Sequence, residues 1–377
     1  MKIVIIMPAY NEAENIGSMI EELFNKEFPQ IKKADMHLLV VDDFSPDGTG
    51  DIVKKYQLKY PNLHLLQKPK EGLGWAYIRG MQYAVDKLGA DAVMEMDADF
   101  QHPPRFVKNM VAAYLSGADY VIGSRYVKGG SIPKEWEFSR KAVSFLGNLF
   151  IRLVLLKPKI HDLTTGFRLT RVKGVLDQIN LEHLMEPARF AHKVDLLYQS
   201  IKNSKNTVEV PLEFASRTKE KSKFNPKEMF STFKVAIILG IKDKQKIIKF
   251  GIVGFLGYLV NATTLYFFTK LNWPGWAAWG LSTELAILNN FTWNNIWTFK
   301  DQQIRGLAGL LPKFFQFNLT SAGGLLIQVG VGIITDRLLG FQYRQIVLPL
   351  TIAFLVMPYN YLMYTLVIWR KKASSQK

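Results

Sequence analysis

The stretch MEMDADFQHPP (residues 94–104) begins as an apolar strand and ends in a group of oxygen-bearing side chains. In an extended chain residues two apart point to the same side, so Asp97, Asp99 and Gln101 can present three oxygens together. Hard divalent cations such as Mg²⁺ and Mn²⁺ take oxygen ligands, often one or two carboxylates completed by substrate phosphates. Asp residues at the end of a strand can also have a purely structural role, because their side chains bond to nearby backbone groups and end the strand. The functional interpretation therefore requires other signs of phosphate binding.

The composition favours an anionic partner and excludes thiol chemistry. The chain has 377 residues, with 48 Lys and Arg against 32 Asp and Glu, a formal net charge of +16. A basic balance indicates phosphate, nucleic acid or an anionic membrane surface as partner. The basic residues are scattered rather than gathered in a long run, so nucleic acid is not expected. The sequence contains no cysteine, which excludes disulfides, a catalytic thiol and a Cys-zinc site.

Residues 1–225 alternate short apolar runs with helical stretches, the pattern of a mostly parallel sheet covered by helices. This predicts a Rossmann-like α/β domain. In such sheets ligands bind beyond the carboxyl ends of the strands. Acidic residues follow three of the predicted strands at that end, so a nucleotide is expected to lie beside Glu12, Asp42, Asp43, Asp97 and Asp99.

From about residue 247 to 377 the chain becomes apolar and predicts an all-α transmembrane domain of four helices. Each predicted span is long enough to cross about 30 Å of hydrocarbon. The alternative, a buried soluble core, is disfavoured because successive apolar runs of this length are rare in soluble proteins. The four spans are 250–269, 276–297, 314–335 and 345–369.

The distribution of Lys and Arg around these spans predicts that both termini and the N-terminal domain are cytoplasmic. Two further segments, 141–157 and 226–241, are apolar with basic residues at or near their ends. Either could lie in the headgroup plane as an amphipathic helix, or could be an ordinary core-facing helix. The second belongs to a predicted interfacial helix and linker over 226–246.

Eight motifs of residues 1–225 together resemble the dolichol-phosphate mannose synthases, family-2 glycosyltransferases of GT-A fold. The C-terminal spans, with ELAILNNFTWNNIWTF at 284–299, resemble the small GtrA-like four-helix membrane domain. In chain order, the eight motifs are MPAYNEAENI, VVDDFSPDGT, EGLGWAYIRG, MDADFQHP, GSRY followed by GG, SRKAVSFLGN, DLTTGFRLTR and VPLEFASRTKEKSK.

The resemblance implies transfer of mannose from GDP-mannose to dolichyl or another polyprenyl phosphate, with inversion at the anomeric carbon. It implies Mg²⁺ or Mn²⁺ on the diphosphate, held by Asp97, Asp99 and Gln101. Nucleotide contacts would come from Pro8, Tyr10, Glu12, Asp42, Asp43 and Asp97. Catalytic roles would fall to Asp97, Asp99, Arg125 and Arg140. The acceptor phosphate or sugar would meet Arg125, Arg140, Asp162, Thr165, Arg168, Arg217 and Lys223.

The chemistry agrees with these assignments, and some features stay open. A leaving diphosphate gathers negative charge that a metal and basic side chains stabilise, and Arg binds phosphate through a planar fork. The motifs indicate a nucleotide, a metal and a lipid phosphate, but they do not identify the sugar that is transferred. UDP-glucose is therefore the alternative donor. Glu284, Asn289 and Asn290 inside a span leave a flippase for lipid-linked sugars as an alternative of another class. Phe44 and Glu220 stand where this family usually has Gly.

Overall fold

The structure, a computed structural model, describes residues 1–216 and 226–370. The chain divides into two compact units, Met1–Gly240 and Ile241–Lys377. The first is an α/β unit and the second is helical, as the sequence predicts.

The first unit is built on a seven-stranded sheet in the order β3-β2-β1-β4-β6-β5-β7. All neighbouring strands are parallel except at β6, which runs antiparallel to both β4 and β5. The predicted mostly parallel sheet is therefore confirmed. The strands are β1 Lys2–Ala9, β2 Asp35–Asp42, β3 Leu63–Gln67, β4 Ala92–Glu95, β5 Tyr120–Ser124, β6 Arg168–Arg171 and β7 Thr207–Pro211.

The central strands are apolar along nearly their whole length because helices cover both of their faces. Ile5 and Met94 pack in one core, and Ile6 and Val93 pack in the core on the opposite side. Within the described residues, the α-helices of the α/β part are α1 Ala13–Glu22, α2 Thr49–Gln57, α3 Leu73–Asp86, α4 Val107–Leu115, α5 Phe138–Leu155, α6 His192–Asn203 and α7 Pro226–Asp243.

The direction of β6 decides which loops meet at one edge of the sheet. The parallel strands β1, β2, β4 and β5 all end at that edge. Because β6 runs the opposite way, it begins there, so the segment 162–167 before it reaches the same edge as the residues after β4 and β5. Sequence motifs far apart in the chain are thereby brought to one place.

The second unit contains four long helical segments, as predicted, but three rather than four have the length and hydropathy of a membrane span. These three, among the described residues, are Gln245–Lys270, Leu307–Leu338 and Phe341–Ile368. The predicted span 276–297 is helical over Gly275–Trp293, yet its polar residues leave it below that hydropathy. The helices are α8 Gln245–Lys270, α9 Gly275–Trp293, α10 Leu307–Leu338, α11 Arg344–Thr351 and α12 Met357–Met363.

Candidate active site

A cavity of about 460 Å³ lies at the carboxyl edge of the sheet, where the sequence places the ligand. Its walls come from loops after β1, β2, β4 and β5, from the segment before β6, and from residues around the start of α6. The predicted site residues that line it are Pro8, Tyr10, Glu12, Asp43, Asp97, Asp99, Gln101, Arg125 and Thr165.

The loop after β1 is fastened to the loop after β2 by three backbone N–H groups. Asn11 donates to Ser45 Oγ at 3.1 Å, and Glu12 donates to Thr49 Oγ1 at 3.0 Å. The third N–H, of Ala13, donates to a carboxylate oxygen in the same loop, at 2.9 Å. These bonds fix the positions of the two loops that carry the predicted nucleotide contacts.

The two predicted nucleotide-binding acids after β2 have different surroundings. Asp42 is fully buried, accepts hydrogen bonds from Gln67 Nε2 at 2.9 Å and from a backbone N–H, and does not line the cavity. Asp43 lines the cavity and pairs with Lys68 Nζ at 2.9 Å. Phe44 follows with φ of 50°, the left-handed conformation that favours glycine. That conformation accounts for the glycine usual at this position in the resembled family.

Asp97 is held by three neighbours that the sequence analysis did not identify. The Tyr77 hydroxyl donates to Asp97 Oδ1 at 2.6 Å, and Lys193 Nζ lies 3.5 Å from the same oxygen. The Asp97 backbone N–H donates to His102 Nδ1 at 3.1 Å, so that imidazole is neutral and accepts at Nδ1. Burial would raise the pKa of Asp97, but the Lys193 ammonium and the Tyr77 hydroxyl hold it below its usual range.

The predicted metal ligands meet on one wall of the cavity, and their chemistry fits a hard cation. The two carboxylates of Asp97 and Asp99 and the amide of Gln101 all line it. The Gln101 backbone N–H donates to Asp99 Oδ1 at 3.1 Å and fixes the turn. Within residues 1–216 and 226–370, no group of three or more His, Asp and Glu is placed to hold a metal by itself. The donor set matches a cation whose other ligands are substrate phosphate oxygens.

Arg125 lines the same cavity and is fixed by a fully buried carboxylate. Its Nε lies 2.7 Å from one oxygen of Asp162 and its Nη2 lies 2.8 Å from the other, while Nη2 also donates to Thr164 Oγ1 at 2.7 Å. Burial would raise the pKa of Asp162, but the Arg125 guanidinium outweighs it and lowers that pKa. Asp162 therefore supports the cavity from behind rather than lining it.

The other predicted acceptor residues lie away from the cavity or outside the described residues. Arg168 is fully buried beneath the site, and its Nη1 donates to the Lys193 carbonyl at 2.6 Å. Arg140 does not line the cavity, and its guanidinium lies 3.8 Å from the centre of the Trp136 ring. Arg217 and Lys223 lie outside the described residues.

Several cavity residues were not predicted from the sequence. Lys193 carried a usable signal, because a lysine between apolar residues in AHKVDLLYQSI falls on the buried face of a helix and requires an acidic partner. Its partner, Asp97, is 96 residues away in the chain. Other cavity residues gave no comparable signal, among them Lys70, Leu73, Phe190 and Phe214.

Comparison with known families agrees with both units. Residues 4–177 match the family described as Glycosyl transferase family 2. Residues 249–369 match the GtrA/DPMS transmembrane domain.

Two relatives and one solved structure illustrate the range of similarity. The dolichol-phosphate mannosyltransferase of Pyrococcus furiosus is 36% identical over 87% of this chain and 88% of its own length. The polyprenol monophosphomannose synthase of Mycolicibacterium smegmatis is 36% identical over 62% of this chain and 85% of its own. A crystal structure of glucosyl-3-phosphoglycerate synthase from Mycobacterium tuberculosis is 17% identical, covers 64% of this chain and 79% of its own, and has a TM-score of 0.42.

Proposed function

Because the chain belongs to the dolichol-phosphate mannose synthases of glycosyl transferase family 2, we propose that it transfers mannose from GDP-mannose to dolichyl or another polyprenyl phosphate. The observation that supports this reaction is the pairing of two carboxylates, Asp97 and Asp99, with a buttressed Arg125 in one cavity. The carboxylates can coordinate a cation that is bound to the donor diphosphate, and the arginine can bind an anion such as the acceptor phosphate. The GtrA/DPMS domain makes the chain a membrane protein. It therefore lies in the membrane, where polyprenyl phosphates are found.

In the proposed reaction the bond between the anomeric carbon and the GDP diphosphate breaks, and a lipid phosphate oxygen forms the new bond on the opposite face. This gives inversion. The acceptor is already ionised near neutral pH, so no general base is required. Asp97, Asp99 and Gln101 would hold Mg²⁺ or Mn²⁺, which neutralises charge on the leaving diphosphate. Tyr77 keeps Asp97 oriented toward the cavity through its hydrogen bond.

Arg125 is the cavity residue that we assign to a substrate phosphate. Asp162 and Thr164 hold its Nε and Nη2, so the guanidinium plane is fixed and Nη1 is the nitrogen left to reach the anion. A fixed guanidinium loses little rotamer freedom when the substrate binds. Arg140, Arg217 and Lys223 are proposed as further contacts to the acceptor phosphate.

The remaining predicted residues divide into contacts and supports. Pro8, Tyr10, Glu12 and Asp43 line the cavity and are proposed to contact the nucleotide. Thr165 also lines the cavity and is proposed to contact the acceptor. Three others are proposed to act through the residues that they hold: Asp42, Asp162 and Arg168.

We assign α5 and α7 to the cytoplasmic headgroup plane, with the apolar spans as the membrane anchor. Both helices leave large apolar side chains exposed, among them Leu146, Leu153 and Phe230. The chain passes from α7 to the membrane-spanning α8 through a single residue, so the end of α7 is tied to the bilayer by the chain itself. This supports the interfacial interpretation of segments 141–157 and 226–241 over the soluble one.

A donor screen tests the function directly. The purified full-length protein is given dolichyl phosphate, Mg²⁺ or Mn²⁺, and either labelled GDP-mannose or labelled UDP-glucose, and the label that enters the organic phase is counted. We expect transfer with GDP-mannose, and its loss with a chelator and in Asp99→Ala. Transfer from UDP-glucose alone would contradict the assignment of GDP-mannose as donor, while the proposed mechanism of transfer would be unchanged. Asp99→Ala that still translocates a lipid-linked sugar, with no transfer by the wild type, would instead support a flippase.

A further inference from the structure

The apolar helices α5 and α7 form one packed pair. The rings of Phe150 and Phe233 meet edge to face with centroids 4.9 Å apart. A Cβ added to Gly240 would lie 2.8 Å from the Val154 carbonyl oxygen, so the two backbones approach closely at that point. Buried residues of both helices share one core with α6. A displacement of either helix would therefore be passed to the other.

Each helix of this pair is hydrogen-bonded through a polar side chain to a segment that lines the cavity. On α5, Asn148 is 3% exposed, and its Oδ1 accepts the buried Leu163 N–H at 2.8 Å. Its Nδ2 donates to Thr164 Oγ1 at 3.0 Å, the same oxygen that accepts from the Arg125 guanidinium. Helix α5 is thus connected to the arginine of the site through two side chains, Asn148 and Thr164.

On α7, Glu228 makes the corresponding contact. Its Oε2 accepts the Phe190 N–H at 3.1 Å, and Phe190 lines the cavity. Six residues further along α7, Lys234 Nζ lies 3.1 Å from Glu186 Oε1 at the start of the same segment. The segment 186–190 is therefore tied to α7 at both ends, and it leads directly into α6 and Lys193.

We infer that Asn148 and Glu228 are positioning residues that couple the seating of α5 and α7 on a lipid surface to the geometry of the cavity. The occupant of the apolar face is a bilayer, because the α7 end of the pair continues directly into a membrane-spanning helix. The coupling rests on the proposed function, which supplies the lipid substrate and hence the reason for it. Neither residue lines the cavity, so each acts through the wall segment that it holds.

Hydrogen–deuterium exchange of the 186–193 segment tests the coupling without requiring any reaction. The full-length protein is compared in lipid vesicles and in detergent, as wild type, Glu228→Ala and the conservative Glu228→Gln, which keeps an acceptor oxygen. We expect exchange in the wild type to be slower in vesicles by about fivefold or more, the lower end of ordinary coupling effects. Glu228→Ala should remove the difference and Glu228→Gln should keep it. Equal exchange in vesicles and detergent for the wild type would overturn the inference.

A double-mutant cycle on the transfer rate separates coupling from a merely structural role. Phe230→Ser weakens the exposed apolar face of α7, and Glu228→Ala breaks the inward contact. If Glu228 transmits seating, the double variant should lose no more kcat than the worse single variant, whereas independent effects would multiply. Glu182→Ala, an exposed carboxylate paired with Arg79 away from the cavity, is the control. An inactive wild type would count against the proposed function, while the exchange experiment would still decide the coupling.

Discussion

At the residue scale, the Asp97 carboxylate is held in a fixed orientation in the site. It receives the Tyr77 hydroxyl, faces the buried Lys193 ammonium, and follows a strand that ends at the edge of the cavity. A carboxylate with fixed donors keeps one orientation and stays ionised, which are both requirements for holding a cation beside a diphosphate.

Replacing Lys193 tests how much of this depends on one charge. Lys193→Met keeps the length of the side chain and removes the ammonium, so the pKa of Asp97 should rise. The carboxylate would then be protonated at a higher pH than in the wild type. We expect kcat to fall by about 100-fold, a typical loss for a removed charge contact in a buried site, and the acid limb of the pH–rate profile to move to higher pH.

The control for this change is Lys205→Met, at an exposed lysine after α6. It should leave the rate and the pH profile unchanged. A wild-type pH profile in Lys193→Met would show that the ammonium does not control Asp97.

Phe44 offers a stability test, because its backbone is left-handed and its side chain is 56% exposed. Phe44→Gly relieves a strain of about 1–2 kcal/mol and loses part of that gain to the greater freedom of glycine in the unfolded chain. A net stabilisation of about 0.5–1 kcal/mol is expected, measured as a higher midpoint of thermal unfolding of the α/β unit. A lower midpoint would mean that the ring contributes more than the backbone costs.

At the element scale, the start of α3 shows how tightly the walls fit. A Cβ on Gly74 would lie 2.1 Å from the Pro187 carbonyl oxygen and 2.6 Å from His192 Nδ1. Gly74 therefore permits the loop before α3 to touch the segment that leads into α6. That segment carries Phe190 and Lys193 into the cavity.

Gly74→Ala should push this segment away, and we expect at least a tenfold loss of kcat over KM while the protein remains folded. Gly17→Ala is the matched control, since its added methyl would meet Tyr56 at 3.4 Å, an ordinary contact. Steady-state transfer assays on both variants give the answer. Equal activity of the two variants would show that the segment yields without cost.

The sequence predicts some of these elements better than others, for physical reasons. The strands and the acids after them are local signals, so the sheet, the cavity edge and the residues Asp97 and Asp99 could be predicted. Two contacts could not be predicted: that of Lys193 with Asp97 and that of Asp162 with Arg125. Each joins residues far apart in the chain, which the reversed strand β6 brings to the same edge of the sheet. The helix α9 forms over Gly275–Trp293 within the predicted span, and Glu284 and the neighbouring asparagines give it a lower hydropathy than the other three segments.

At the scale of the whole molecule, the chain consists of two compact units with separate cores, divided at Gly240 and Ile241. The α/β unit carries the proposed nucleotide site, and the membrane unit holds its own aromatic cluster around Phe317 and Trp369. Each unit should therefore have its own stability, which a ligand of one unit changes without changing the other.

Thermal unfolding of the full-length protein in detergent should show two transitions. GDP at 100 times its dissociation constant should stabilise the α/β unit by about 2.7 kcal/mol and leave the other transition unchanged. Differential scanning calorimetry with and without GDP measures both. A single transition that moves as a whole with GDP would contradict independent units.

The reversed strand β6 also has a consequence for engineering. The loops that line the cavity form two sets: those after β1, β2 and β4 carry the proposed donor contacts, and those around β5, β6 and the start of α6 carry Arg125 and Lys193. The second set is nearly continuous in the chain, from Arg125 to Lys193. A chimera that exchanges this block with a relative's, and keeps the lysine that pairs with Asp97, would alter the choice of acceptor while it retains the nucleotide preference. The segment suited to exchange thus lies inside one compact unit and does not coincide with the boundary between the two units.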